Sequence, residues 1–153
     1  MIETTTDYRY KEISASWDRA DGYVGRNKTG ATIAMGKPLE GNGVISPTEA
    51  MLMGLAGCTA IDIVDILRKK RQEPADLQVR VCGKQSTGQY PMMFVEFQVE
   101  YLLWGENLKP RDVEQAIKLS EHKYCSVGAT LVKSGPIVST YRILKPGEAA
   151  PQE

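Results

Sequence analysis

The segment that begins at Ser46 restricts the fold more than any other part of this chain, because it carries a complete signal for one long helix. Ser46 suits the N-cap, and Pro47 suits the first helical position, where its missing N–H costs no hydrogen bond. Glu49 follows three residues after Ser46 and completes a capping box. The sequence therefore predicts a helix from Pro47 to about Gln72, which a proline two residues later would end.

The first half of this predicted helix is apolar nearly all round, from Ala50 to Cys58. A helix with this pattern is expected to be buried on all sides. Its small residues, Gly54, Ala56 and Gly57, would let another backbone approach closely. A single chain of 153 residues cannot easily hide such a helix. We therefore expect a homodimer, intertwined around this element.

Strand patterns flank the helix on both sides. Alternating or β-branched segments predict strands over residues 7–20, 23–26, 31–35, 77–82, 92–103 and 137–144, and three glycines mark residues 36–45 as a loop. A second helix is predicted from Arg111 to about Lys123, with a further helical stretch over 127–132. The expected fold class is α+β: a β-meander, a long buried central helix, an antiparallel strand pair, a second helix and a final strand. One domain is expected over 1–153, with flexible tails at 1–7 and 145–153.

Composition excludes several classes of function. Basic and acidic residues number 19 each, and a neutral chain lacks the basic surface that nucleic acid requires. No run of about 18 uninterrupted apolar residues occurs, so no membrane association is expected. The first residues lack the basic-then-apolar order of a signal peptide, which predicts a cytoplasmic location.

Cysteine usage limits the chemistry further. The chain has three cysteines and one histidine, His122, and it contains no CxxC motif. An odd, low cysteine count argues against a disulfide framework, and four local ligands for a structural zinc site are lacking. A structural zinc site is therefore not expected, and thiol chemistry, which uses the side chains themselves, would imply no metal and no organic cofactor. Thiol chemistry and inert buried cysteine remain as the two readings.

Each of the three cysteines could be a reactive thiol or an inert buried residue. Cys58 falls in the apolar half of the first helix, where a thiolate would need a cation or a hydrogen-bond donor. Cys125 follows the second helix, beside His122, whereas Cys82 sits on a predicted strand and offers little evidence of a role. Glu49 has its structural task in the capping box and could also orient an arginine. The candidate arginines are Arg19 and Arg26, both in the meander.

Two segments of the chain resemble the OsmC/Ohr family of bacterial hydroperoxide-detoxifying proteins. The first segment, Ser46 to Ala60, is similar to the family's proline–acid start and places Cys58 eleven positions after Pro47. The second segment, Lys123 to Val127, is similar to the segment around the family's second cysteine. The order of helices and strands from about Tyr8 to Leu144 also resembles that of the family. The sequences of both segments are most similar to the less characterised OsmC-like branch.

The resemblance implies a thiol-dependent, peroxiredoxin-like hydroperoxide reductase, active as an intertwined dimer. Cys58 would attack an organic hydroperoxide and become a sulfenic acid, and Cys125 would resolve it as a Cys58–Cys125 disulfide. An external dithiol would then restore both thiols. The resemblance further implies an arginine from the N-terminal strands, here Arg19, and an acid, here Glu49, as catalytic residues.

The chain also departs from the family's pattern. Thr48 occupies the place directly after Pro47 where better-known members have the acid, so Glu49 lies about 100° further round the helix. Neither candidate arginine sits in a clear motif. These departures keep two other hypotheses open: a dimeric OsmC-like carrier or redox sensor for a small ligand, with weak or no peroxidase activity, and a core protein with inert thiols.

Overall fold

A computed structural model describes residues 7–37 and 43–152 of the chain, so residues 38–42 of the predicted loop lie outside the description. It contains two three-stranded sheets and three α-helices, which confirms the predicted α+β class. The elements are β1 Ile13–Trp17, β2 Gly22–Asn27, β3 Thr32–Gly36, α1 Pro47–Lys69, β4 Asp76–Gln85, β5 Phe94–Trp104, α2 Pro110–Leu119, α3 Ser126–Leu131 and β6 Ile137–Leu144. The chain divides into two compact units, Met1–Ala50 and Met51–Glu153, each of which is described by itself.

The first unit contains the predicted meander, an antiparallel sheet in the order β1-β2-β3. Polar side chains shape its turns: the Asp18 carboxylate accepts hydrogen bonds from the backbone N–H groups of Ala20 and Gly22. The Asn27 side chain does the same for Thr29 and Ala31 in the second turn. Such local hydrogen bonds are what Asp and Asn contribute to turns.

The first strand is shorter than predicted. The sequence indicated a strand over residues 7–20, but β1 covers Ile13–Trp17 alone. The reason lies in the register, because Ile13 pairs with Asn27, the last residue of β2. Residues before Ile13 therefore have no opposing strand residue to pair with.

The predicted capping box is present at the start of α1. The Ser46 backbone N–H donates to the Glu49 carboxylate at 2.7 Å, and the Glu49 N–H donates to Ser46 Oγ at 3.2 Å. The helix ends at Lys69 rather than near Gln72, because Arg71 adopts a left-handed backbone conformation with φ of 58°. The Gln72 N–H then bonds to the Leu67 carbonyl, which closes the helix end.

The prediction that the first half of α1 is buried on all sides is wrong for the single chain. Its fully buried residues form one stripe at intervals of four: Leu55, Thr59, Ile63 and Leu67. Met51 and Met53 are exposed, and so is Ile61 further along. One stripe faces the core of the chain itself, and the remaining apolar surface faces outward.

By length and composition alone, α1 is the one helix among the described residues that could cross a membrane. Core helices of soluble proteins meet the same criterion. The buried stripe belongs to the hydrophobic core, as expected of a core helix. That the protein works without a membrane stays a prediction.

The second unit is built on the sheet β4-β5-β6, in which β4 and β5 pair antiparallel, as predicted. The last strand, β6, pairs parallel with β5. The central strand β5 ends in four consecutive buried residues, Tyr101 to Trp104. Its side chains form the core together with the stripe of α1 and with Val113, Ala116 and Ile117 of α2.

The second predicted helix is interrupted. It begins at Pro110 and is α-helical to Leu119, after which Ser120 to Tyr124 form a π-helical turn. The Cys125 N–H closes this wider turn by bonding to the Ser120 carbonyl at 2.8 Å. The chain continues as α3, near the predicted helical stretch.

The C-terminal segment makes specific hydrogen bonds. Trp104 Nε1 donates to the Glu148 carbonyl at 2.7 Å, and the Arg80 guanidinium donates to the Pro151 carbonyl at 2.8 Å. The flexibility predicted for residues 145–153, like the single-domain organisation, stays a prediction.

Candidate functional site

The two cysteines singled out by the sequence lie next to each other in the second unit. The Sγ atoms of Cys58 and Cys125 and a carboxylate oxygen of Asp62 all lie within 4.8 Å of one another. Cys58 is half-buried on α1, and Cys125 is buried, with 2% of its surface exposed. A disulfide has an S–S length of about 2.05 Å, so the sulfurs must approach by no more than about 2.8 Å to bond.

The π-helical turn positions Cys125. A turn that closes from residue i to i+5 holds one residue more than an α-helical turn, and such turns are frequent at functional sites. Here the turn begins at the fully buried Ser120 and delivers the chain to Cys125. Glu121, within the turn, accepts hydrogen bonds from Tyr101 on β5 and from Ser139 on β6. The turn is therefore fixed to the sheet.

Asp62 lies beside the two thiols because it follows Cys58 by four residues and therefore occupies the same face of α1. Ser120 Oγ donates to Asp62 Oδ2 at 2.8 Å, which orients the carboxylate. The Cys125 sulfur, in turn, accepts a hydrogen bond from the Gly128 backbone N–H at 3.2 Å. Two sulfurs and one oriented carboxylate thus share a small, partly buried volume.

The pKa of the Cys125 thiol is raised to about 11. Burial is the largest cause, and the neighbouring Cys58 sulfur and Asp62 carboxylate act in the same direction. The Gly128 N–H opposes them, because a donor stabilises the thiolate. At neutral pH Cys125 therefore stays protonated in the resting protein.

A groove of about 320 Å³ adjoins this cluster through Asp62. Its walls come from α1, the end of α2 and the π-helical turn, and they combine apolar side chains with charged ones: Asp62, Asp65, Ile66, Lys69, Lys70, Leu119 and Tyr124. The groove therefore offers a path from solvent to the carboxylate.

The other candidate residues belong to the first unit and are described within it. Glu49 is held in the capping box, where hydrogen bonds from Ser46 lower its pKa. Arg19 lies in the turn after β1 with φ of 70°, and its guanidinium stacks 5.0 Å from the centre of the Trp17 ring. Arg26 donates to the Gly30 carbonyl at 3.3 Å. Catalytic roles for Arg19 and Glu49 stay predictions.

Two residues of little expected role lie at the surface. Cys82 is exposed on β4, and His122 is exposed on the π-helical turn. Neither takes part in the cluster of thiols and carboxylate. Cys82 thereby provides a matched control for the other two cysteines.

Sequence reasoning missed Asp62 and Ser120. A signal for Asp62 was present, because residues four apart on a helix lie on one face. Ser120 had no such signal, since its contact with Asp62 spans 58 positions and depends on the π-helical turn. A regular helix had been predicted there.

Comparisons with known proteins agree with this fold. Residues 40–140 match the model of the family described as OsmC-like protein. Protein YhfA of Escherichia coli strain K12 is 33% identical over 133 residues, which cover 87% of this chain and 98% of YhfA.

Two solved structures share the fold at lower identity. An OsmC-like protein from Mycoplasma pneumoniae superposes with a TM-score of 0.77 at 17% identity, covering 89% of this chain and 98% of that one. The organic hydroperoxide resistance protein OhrB of Bacillus subtilis gives a TM-score of 0.60 at 12% identity, covering 88% and 98%. The fold is thus that of a class containing redox-related proteins. The chain belongs to the OsmC-like family.

Proposed function

We propose that this protein is a thiol-dependent peroxidase that reduces organic hydroperoxides. The observation that carries the proposal is the proximity of the Cys58 and Cys125 sulfurs, within 4.8 Å of each other and of Asp62. Membership in the OsmC-like family and the fold shared with an organic hydroperoxide resistance protein support it.

The first step joins Cys58 to the peroxide. The Cys58 thiol passes its proton to the Asp62 carboxylate, and the resulting thiolate attacks the terminal oxygen of ROOH. The O–O bond breaks, the sulfur is oxidised to a sulfenic acid, and the departing alkoxide takes the proton from Asp62 to leave as ROH. Asp62 suits this exchange because Ser120 holds its carboxylate in place.

The second step uses Cys125. Its sulfur attacks the sulfenic sulfur of Cys58, its proton joins the departing hydroxide, and a disulfide and water result. The raised pKa of Cys125 keeps this thiol protonated until the sulfenic acid has formed beside it. An external dithiol then reduces the disulfide by exchange.

The adjoining groove would receive the organic part of the substrate. Ile66, Leu119 and Tyr124 give it apolar surface within reach of Asp62. Arg19 and Glu49, the residues implied by the family resemblance, would support the thiolate of Cys58.

We further propose that the protein is a cytoplasmic homodimer that packs on α1. The exposed apolar residues of α1 include Met51, Met53 and Ile61. Gly54 and Gly57 also face open space, with no atom of the chain near the position of an added Cβ. Gly57→Leu should therefore be tolerated by one chain and disrupt a dimer packed on α1. Sedimentation of this variant as a folded dimer would contradict the arrangement.

Steady-state turnover of cumene hydroperoxide with dithiothreitol tests the activity. Cys58→Ser should abolish turnover and Cys82→Ser should match the parent. Assayed without dithiothreitol, Cys125→Ser should consume about one equivalent of peroxide and then stop at the Cys58 sulfenic acid. Asp62→Asn should lower kcat/KM by roughly 10²–10⁴-fold, the usual contribution of a positioned acid–base group. A Cys58→Ser variant as active as the parent would exclude the mechanism. Free thiols throughout would favour the carrier hypothesis.

A further inference from the structure

We propose that the reduced protein binds one zinc ion between Cys58, Asp62 and Cys125. The three ligand atoms lie within 4.8 Å of one another. Small side-chain movements would bring them to the spacing of donor atoms around one zinc ion. This site goes beyond the peroxidase reaction and does not depend on it. It would occupy both thiols, and zinc would therefore compete with oxidation.

The donor set selects the metal by its chemistry. Two thiolates and one carboxylate suit Zn²⁺, whereas Mg²⁺ and Ca²⁺ prefer oxygen ligands throughout. Three protein ligands leave a fourth position for water or a small molecule, which is the pattern of catalytic zinc sites rather than structural ones. The ligands come from residues 58, 62 and 125, and this spacing does not form a local zinc-binding motif in the sequence.

Hydrogen bonds around the cluster are those that orient metal ligands. Ser120 holds the Asp62 carboxylate through Oδ2, and a carboxylate can accept this bond and still coordinate an ion. The Gly128 N–H points at the Cys125 sulfur, where it would stabilise a coordinated thiolate. Partners of this kind fix the direction of ligands and typically alter metal affinity by 10–100-fold.

The groove supplies the entry path. Asp62 belongs both to the cluster and to the walls of the groove of about 320 Å³. An ion arriving from solvent would meet Asp62 and the half-buried Cys58 before the buried Cys125. Coordination replaces the two thiol protons, which pass to the buffer, so binding should strengthen as pH rises.

Zinc titration of the fully reduced protein, without peroxide, tests the site. A competing colorimetric zinc chelator reports affinity, and a thiol reagent reports which cysteines are covered. We expect one zinc per chain, with Cys82 alone still reactive toward the reagent. The Cys82→Ser variant should bind as the parent does.

Variants of the ligands test whether the cluster of Cys58, Asp62 and Cys125 binds the zinc. Cys58→Ser and Cys125→Ser should lose the site, and Ser120→Ala should weaken it by roughly 10–100-fold. Asp62→Asn should weaken it at least as much, and circular dichroism checks that each variant is folded. Zinc bound equally by the Cys58→Ser variant, or no stoichiometric zinc on the parent, would overturn the proposal. Because no peroxide is present, a failed peroxidase assay leaves this result unaffected.

Discussion

The molecule contains two three-stranded sheets that differ in how they are stabilised. In the sheet β1-β2-β3 all five residues of β1 are exposed, and β2 contributes one buried residue. In the sheet β4-β5-β6 the central strand is largely buried and packs with α1 and α2. Side-chain hydrogen bonds at turns define the first sheet, and apolar burial defines the second. The candidate site of Cys58, Asp62 and Cys125 lies in the same unit as the second sheet, where Ser120 and Gly128 hold its side chains in place.

The exposed side chains of the meander suggest what its surface is for. Ile13, Trp17 and Ile33 are each more than 40% exposed, so the meander presents several large apolar side chains to solvent. Apolar surface that one chain leaves uncovered is typical of an interface. Whether the proposed homodimer also covers the meander is open to experiment, because covering it would stabilise the first sheet.

The largest expected effect separates two isoleucines. Ile63 is fully buried on α1, and Ile63→Ala should lower the free energy of unfolding by about 2–5 kcal/mol, since it removes methylene groups from a packed core. Ile13 is 75% exposed, and Ile13→Ala should change the stability of the single chain by less than about 0.5 kcal/mol. Urea unfolding of both variants measures the difference.

Repeating the unfolding of the Ile63→Ala and Ile13→Ala variants at several protein concentrations shows whether a second chain covers Ile13. If a second chain covers the meander, the effect of Ile13→Ala should appear as a concentration-dependent loss of stability, because dimerisation stabilises by mass action. Equal effects of the two substitutions at every concentration would erase the distinction between the two sheets.

A smaller effect depends on pH. Because burial first, and then its neighbours, raise the pKa of the Cys125 thiol from 9.0 to about 11, the unfolded chain loses this proton before the folded chain does. This group leaves stability unchanged below about pH 9 and lowers it as pH rises to about 11, by at most about 3 kcal/mol. Unfolding of the parent and of Cys125→Ser across this range measures the contribution.

The exposed thiol is the control for this prediction. Cys82→Ser should leave the alkaline loss of stability as it is in the parent, whereas Cys125→Ser should reduce it. If the free energy of unfolding falls equally between pH 9 and 11 in all three proteins, burial of Cys125 is not the cause of the alkaline loss of stability.

The smallest expected effect lies at the start of α1. Ser46→Ala removes the acceptor for the Glu49 N–H and should cost about 1 kcal/mol in the free energy of unfolding. Ser46→Asp, which keeps an acceptor, should restore most of that loss. Thermal unfolding at one pH and concentration compares the three proteins, and equal stability of Ser46→Ala and the parent would contradict the capping role.

Features that depend on neighbours in the chain could be predicted from the sequence. The capping box of Ser46 and Glu49 appears where it was expected, because its hydrogen bonds span three residues. The strands β2 and β3 were also placed to within a residue or two, since turn-forming side chains bound them. Both cysteines were identified because their segments resemble those of a known family.

Features that depend on distant contacts could not be predicted in this way. The parallel pairing of β6 with β5 joins Ile137 to Phe97 across forty positions of sequence. The π-helical turn is recognised by its closing bond from Cys125 to Ser120 and by the contacts of Glu121 with the sheet. Asp62 gains its importance from that turn, and the sequence pattern of α1 gave it no special place.

The most direct measurement is free-thiol counting with mass mapping before and after one equivalent of cumene hydroperoxide. We expect rapid loss of two thiols, a Cys58–Cys125 linkage and an unmodified Cys82. Three surviving thiols, or a linkage that includes Cys82, would contradict the claim that Cys58 and Cys125 are the working pair.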